Sequence, residues 1–123
     1  MKRVTLENMT VDQLILRFAE IGIAQDQALL YDEYSKFNRL YDHLEDTEKE
    51  LRRRGGTARL AVVELYSHPN MQVRLNAAIR TLAVAPDAAR KMLQWIYDSK
   101  SHPQAGDAGM MLSGLDDGSY TPD

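Results

Sequence analysis

Apolar residues along this chain recur every three, four or seven positions, and this spacing predicts amphipathic α-helices. The first long pattern starts at Thr10, which has Gln13 at capping-box spacing. The second runs from a predicted cap at Ser35 to the Gly55-Gly56 pair, which ends it. A short turn between them predicts a long antiparallel helical hairpin over residues 10–54. The inner face of the second helix is predicted to contain Tyr34, Phe37, Leu40, Tyr41, Leu44 and Leu51.

The first helix is apolar on two sides. One side carries Leu14, Phe18, Ile21 and Ala28, and the other carries Leu16, Ile23 and Leu30 at seven-residue spacing. A two-layer domain covers only one side of a terminal helix. Because an uncovered apolar stripe is typical of association surfaces, we expect a homodimer through the first helix. The alternative is that the N-terminal segment Val4–Met9 folds back over the stripe.

Shorter helices are predicted after the hairpin. Thr57 is the expected cap of the third helix, and Asn70 is the expected cap of the fourth. Pro86 and Pro103 stand at first-turn positions and open the fifth and sixth helices. Residues 116–123 are predicted to be a loose acidic tail.

One stretch, SHPNMQVRLNAAIRTL at residues 67–82, resembles the second helix of a HEAT or armadillo-type repeat. The Ser-His-Pro triplet recurs at Ser101, 34 positions after Ser67, although the second copy is more degenerate. Small residues such as Ala77-Ala78 let this helix lie close to its neighbours. We expect Arg74 to bond the carbonyls of the turn or an acidic cap.

These patterns predict an all-α fold, with a right-handed HEAT/armadillo-like helical-repeat stack, or α-α superhelix, over residues 57–115 behind the long hairpin. A tetratricopeptide repeat has a similar period, but its aromatic and Leu-Gly signature is missing here. We expect one domain over residues 1–123, with an N-terminal segment at 1–9.

Taken whole, the chain resembles a family of small bacterial proteins of unknown function with armadillo-like helices. The resemblance rests on the Arg-Arg-Arg-Gly end of the hairpin, the Ser-His-Pro-Asn segment and the sequence QAGDAGM at residues 104–110. It extends from about Val11 to Leu115. It implies the helical fold and supplies no catalytic residue.

Composition narrows the class of function. The 123 residues include 15 basic and 18 acidic side chains, a net charge of -3, so no overall field attracts nucleic acid or an anionic membrane. The absence of cysteine excludes disulfides, a thiol nucleophile and thiolate metal sites. No segment approaches the roughly 20 apolar residues of a membrane span, and the start lacks the apolar run of a signal peptide. We expect a cytoplasmic protein.

Three sets of residues are candidates for a functional site. The histidines His43, His68 and His102 lack the adjacent His-Glu pairs of the di-iron hydroxylase built on HEAT repeats, so we expect no metal. The sequence also lacks the spacing of a nucleophile and its base, so we expect no catalytic residue and no cofactor. Two further sets are a candidate anion site and a candidate buried polar network or pocket wall. The candidate anion site is Arg52, Arg53, Arg54, Thr57 and Arg59, for which helix-end electrostatics is the preferred interpretation, and the candidate polar network is Gln25, Asn38 and Asp42.

Two functions remain open. In the first, the protein is a non-catalytic protein–protein interaction module that binds another protein through the inner face of its repeats. The candidate partner-binding residues are Arg74, Asn76, Arg80, Gln104 and Asp107. In the second, it binds a small ligand or an anion, with an enzyme as the less favoured form of this hypothesis. The site would be the candidate polar network of the hairpin or the candidate anion site, which forms an arginine-rich junction between the second and third helices. The glycines of the last helix, Gly106, Gly109 and Gly114, also predict close approach of another backbone or of a partner.

Overall fold

The structure, a computed structural model, describes residues 5–123, and those residues form helices and connecting turns without a strand. The predicted all-α class is therefore confirmed for the described part of the chain. Its α-helices are α1 (Val11–Leu30), α2 (Tyr34–Arg53), α3 (Gly56–Leu60), α4 (Met71–Arg80), α5 (Pro86–Ser99) and α6 (Gln104–Asp117). Short 3-10 helices occur at Leu6–Asn8 and Ala61–Ser67. The chain divides into two compact units, of which the first ends at Ala61 and the second is Val62–Asp123.

The first unit is built on the predicted hairpin of α1 and α2. At the start of α1 the capping box of Thr10 and Gln13 is confirmed. The Gln13 amide N–H donates to Thr10 Oγ1 at 3.1 Å, and the Thr10 N–H donates to Gln13 Oε1 at 2.8 Å. These bonds satisfy two backbone donors that the helix itself leaves without acceptors.

The turn between α1 and α2 differs from the prediction. The second helix begins at Tyr34, with Glu33 at the cap position, so the predicted cap at Ser35 is wrong. Asp32 adopts the left-handed conformation with φ of 55°, which ends α1 without a glycine. The Tyr34 hydroxyl donates to Asp32 Oδ1 at 3.0 Å, and this bond links the two sides of the turn.

The core of the hairpin follows one stripe on each helix. Leu14, Phe18 and Ala28 of α1 have no exposed surface. On α2 the buried residues are Leu40, Leu44, Thr47, Glu48 and Leu51. Tyr34 and Tyr41, predicted on the inner face, are exposed, because the buried stripe passes through positions 40, 44, 47/48 and 51.

The second apolar stripe of α1 lies on the surface. Leu16 is 60% exposed, Ile23 37% and Leu30 75%. The described part of the N-terminal segment does not cover it, since the Arg54 guanidinium holds that segment by donating to the carbonyls of Leu6 and Glu7 at 3.1 and 3.2 Å. Val4 lies outside the described residues. The homodimer through this stripe stays a prediction.

The end of α2 confirms part of the predicted glycine turn. Gly55 has φ of 108°, a conformation that favours glycine, and it stands at the cap position of α3. Thr57 is therefore inside α3, and its predicted role as the cap is wrong. The predicted third helix continues only to Leu60 as an α-helix and then tightens into the 3-10 helix Ala61–Ser67.

The second unit contains the hairpin of α5 and α6, and α4 contacts both of these helices. The predicted cap at Asn70 is confirmed, because its Oδ1 accepts the Val73 N–H at 3.1 Å. Pro86 is the first residue of α5, as predicted, and Pro103 directly precedes α6. The buried core consists of Leu75, Ala78, Leu82, Ala89, Leu93, Ile96, Ala108 and Leu112.

Candidate functional site

A chain of buried amides joins α4 to α6. The Gln104 amide donates to Gln72 Oε1 at 3.0 Å, and the Gln72 amide donates to Asn76 Oδ1 at 3.0 Å. All three side chains are buried. Two of the candidate partner-binding residues, Asn76 and Gln104, thus lie in the interior and take part in packing α4 against α6. Sequence reasoning missed Gln72, although its spacing of four from Asn76 placed both amides on one face of α4.

The other candidate partner-binding residues have different surroundings. The Arg74 side chain donates to the His68 carbonyl, which is the turn contact predicted for this arginine. The Arg74 guanidinium also lies 4.8 Å from the centroid of the Trp95 ring, within the range of a cation–π interaction. Arg80 is half-buried, and Asp107 is exposed. Partial desolvation raises the pKa of the Asp107 carboxyl above its usual value.

A shallow groove of about 450 Å³ lies between α5 and α6. It is lined by Gln94, Tyr97, Gly106, Gly109, Met110, Leu112, Ser113 and Asp116. Met110 is 76% exposed and Tyr97 is 51% exposed, so apolar surface is available there. A Cβ atom on Gly109 would lie 2.7 Å from Cδ1 of Tyr97. The close neighbour of Gly109 is therefore an aromatic side chain of the same chain, whereas the sequence predicted another backbone or a partner.

Two polar side chains that line the groove, Asp116 and Gln94, have partners. The Arg90 guanidinium contacts Asp116 Oδ1 at 2.5 Å. The Gln94 amide donates to Asp98 Oδ1 at 3.0 Å on the exposed side of α5. These contacts fix polar groups at the rim and leave Tyr97 and Met110 as the exposed apolar members of the groove.

The arginine-rich junction contains two internal clusters of ion pairs. In the first, the carboxylate of Glu48 is 3% exposed, and its Oε1 contacts Arg52 at 2.8 Å and Arg59 at 3.2 Å. Its Oε2 has no hydrogen-bond partner within residues 5–123, so these contacts at Oε1 carry the compensation for burying the charge. The pair with Arg59 ties α2 to α3.

The second cluster is more exposed and is centred on Glu50. Arg53 donates to the Glu50 carboxylate at 2.6 Å and Arg54 at 2.8 Å. These hydrogen bonds, first from Arg53 and then from Arg54, lower the pKa of Glu50 from 4.5 to about 2. Four of the five candidate anion-site residues therefore bond to carboxylates of the same chain, and the fifth, Thr57, is exposed.

The candidate polar network is not brought together as a buried group. Gln25 is buried in α1, whereas Asn38 and Asp42 are exposed on α2. Helical spacing placed Gln25 correctly in an apolar stripe. It placed the other two one turn apart but could not show that their side of α2 faces the solvent.

One of the three histidines, His68, has a hydrogen bond within a turn. His68 accepts the Asn70 N–H on Nδ1 at 3.0 Å, so it belongs to the turn before α4. Within residues 5–123, no group of three or more His, Cys, Asp or Glu side chains is placed to hold a metal ion. No helix in this part of the chain is long and apolar enough to cross a membrane.

Comparison with known proteins assigns the chain to a family. The family described as "Domain of unknown function (DUF2019)" matches residues 12–116. The chain belongs to the DUF2019 family. The match agrees with the predicted kind of family, one of unknown function, and nearly coincides with the predicted extent.

A solved structure resembles this DUF2019 chain over almost its whole length. It is the crystal structure of the protein RPA1889 from Rhodopseudomonas palustris, at 48% sequence identity and a TM-score of 0.94. The similarity covers 98% of this chain and 100% of that chain. This relative is bacterial, as the resemblance in the sequence implied. No curated protein matches the chain.

The buried amide chain yields a prediction about the stability of the DUF2019 fold. Gln72→Ala removes the central amide and leaves the groups that it bonds on Asn76 and Gln104 without that partner. We expect the free energy of unfolding to fall by about 2 kcal/mol in urea denaturation. The matched control is Gln94→Ala, whose exposed bond to Asp98 should change it by less than about 0.5 kcal/mol. Equal losses of unfolding free energy in the two variants would contradict a structural role for the buried amides.

The Glu50 cluster yields a prediction about pH. A carboxyl group whose pKa is lower in the folded protein stabilises it above pH 4.5, and this stabilisation is lost as the pH falls towards 2. We expect Glu50→Gln to lower the unfolding temperature at pH 7 and to differ progressively less from the native protein between pH 4.5 and 2. Glu64→Gln, at an exposed carboxylate outside the cluster, is the control. A difference that stays constant over this pH range would show that Glu50 acts without its charge.

Proposed function

We propose that this DUF2019 chain is a non-catalytic protein-binding module and that its second unit is built as a HEAT-like stack. The turn before α4 supports the repeat interpretation, because Asn70 caps the helix while Arg74 bonds the His68 carbonyl. The contacts of α4 with α5 and α6 also support it, since neighbouring helix pairs of a stack pack on one another.

The observation that carries the proposal is the groove between α5 and α6. Met110 and Tyr97 expose apolar surface beside a helix whose Gly109 admits the tyrosine ring. Tyrosine and methionine are enriched in protein interfaces. A partner that inserts apolar side chains between α5 and α6 would bury both residues.

The proposed binding surface includes fewer of the candidate partner-binding residues than the sequence predicted. Asn76 and Gln104 are occupied by the buried amide chain, so they support the surface from behind. Asp107 remains a candidate at its edge because it is exposed on α6. Arg74 and Arg80 are half-buried and contribute less exposed surface than Tyr97 or Met110.

Anion binding at the arginine-rich junction is the weaker alternative. Arg52 and Arg59 contact Glu48, while Arg53 and Arg54 contact Glu50. A bound anion would have to compete with carboxylates that are already in place. This cost favours the groove over the junction as the binding surface.

Photo-crosslinking in cells that naturally express the protein tests the groove directly. A photoreactive benzoylphenylalanine in place of Met110 should give a discrete crosslinked protein, because Met110 is exposed in the groove. The same group in place of Leu60, which is also exposed but lies on α3, is the matched control. Combining the Met110 probe with Tyr97→Ser should reduce the crosslinked product severalfold, because it removes a neighbouring anchor.

The proposal is contradicted if the probes at Met110 and Leu60 give the same products, or if neither gives one. It is also contradicted if Tyr97→Ser leaves the Met110 product unchanged while circular dichroism shows the same helix content.

A further inference from the structure

The exposed side of α1 forms a second apolar surface, in the first unit. Leu16, Ile23 and Leu30 lie on one helix face because seven residues make nearly two turns. Tyr31 and Tyr34, 71% and 62% exposed, continue the apolar surface into the turn after the helix. We call these five residues the α1 strip. An exposed apolar row on a long helix fits the apolar face of another helix.

Most of the exposed charges beside the α1 strip are acidic, although Lys36 is exposed two residues after Tyr34. Asp12 and Glu20 are four residues before and after Leu16, so both lie on its helix face, and both are exposed. Asp32 and Glu33 are exposed in the turn, between the two tyrosines. From Val11 to Glu33 the chain has five acidic residues and one basic residue, Arg17, which is half-buried. The strip therefore lies in a region of net negative charge.

This charge distribution indicates which kind of partner fits the α1 strip. The homodimer expected from the sequence pattern would bring one acidic α1 surface against another, and like charges across an interface are unfavourable. An anionic membrane or a nucleic acid would be repelled for the same reason. A basic partner helix instead places Lys or Arg beside Glu20 and the acidic turn while its apolar residues cover Leu16, Ile23 and Leu30.

We propose that the α1 strip binds a basic amphipathic helix of another protein. The binding surface is independent of the groove between α5 and α6, because all of its residues belong to the first unit. The two tyrosines serve as anchors, as tyrosine often does at binding hot spots. The acidic residues set the charge preference of the surface.

The turn is already ordered for this role. The Glu33 N–H donates to the Ala28 carbonyl at 2.8 Å, and the Tyr34 hydroxyl donates to Asp32 at 3.0 Å. The turn backbone and the Tyr34 side chain are thus fixed before a partner arrives. A surface that is ordered in advance loses less conformational entropy on binding.

The test uses a synthetic amphipathic peptide of about 20 residues, the length of α1. The peptide has Leu along one face and Lys on both flanks, and its binding is measured by fluorescence anisotropy. We expect the Kd to rise about tenfold or more in a Leu16→Ser/Ile23→Ser double variant and in Glu20→Lys. The controls Leu60→Ser and Asp46→Lys change exposed residues outside the strip and outside the groove between α5 and α6, and they should leave the Kd within about twofold. Added NaCl should weaken binding to the native protein.

Four results would overturn the proposal. The first is no binding of the Leu/Lys peptide to the native protein, and the second is equal binding to the native protein and the strip variants. The third is equal binding of a matched peptide with Glu in place of Lys, which would remove the charge argument. The fourth is a native dimer in sedimentation that Leu16→Ser/Ile23→Ser converts to a folded monomer, since a second copy would then occupy the strip. Failure of the groove proposal would leave all these measurements unchanged, because they depend on the first unit.

Discussion

The buried carboxylate of Glu48 is the constraint on which the first unit depends. Removing a carboxylate from water costs several kcal/mol unless opposite charges replace the lost hydration. Here Arg52, one turn later on α2, and Arg59, on α3, supply that replacement at 2.8 and 3.2 Å. The arginine-rich junction therefore joins α2 to α3, and Arg54 extends the same region to the carbonyls of Leu6 and Glu7. Its charges are used chiefly within the fold.

In the second unit the buried polar side chains are neutral, and hydrogen bonds between them compensate for the loss of water. Gln72 lies between Gln104 and Asn76, so the buried amides of α4 and α6 satisfy one another in the interior. Both units thus use polar residues, which a reader of the sequence would assign to binding, to hold helices together. Apolar residues, by contrast, are exposed on the two surfaces that are proposed to bind partners. Met110 and Leu30, each about three-quarters exposed, represent the two surfaces proposed for partners.

Local signals in the sequence predicted helix starts better than they predicted which side of a helix is buried. Thr10 and Asn70 were recognised as caps because a cap acts on backbone groups only a few residues away. Thr57 carries the same signal, but the chain already turns at Gly55, so α3 begins two residues earlier than a cap at Thr57 would place it. Asn76 and Gln104 were placed on a binding face because composition does not show how α4 is rotated against α6. That rotation depends on packing between residues that are distant in sequence.

The stability of a Glu48→Gln variant shows most directly whether the arginine-rich junction serves the fold. Glutamine keeps the size of the side chain but removes the charge that Arg52 and Arg59 contact in the buried junction. If the junction serves the fold, urea denaturation should show a loss of about 3 kcal/mol in the free energy of unfolding, the cost of breaking a buried ion pair from one side. A variant within about 0.5 kcal/mol of the native protein, a change typical of surface substitutions, would contradict a structural role for the Glu48 charge.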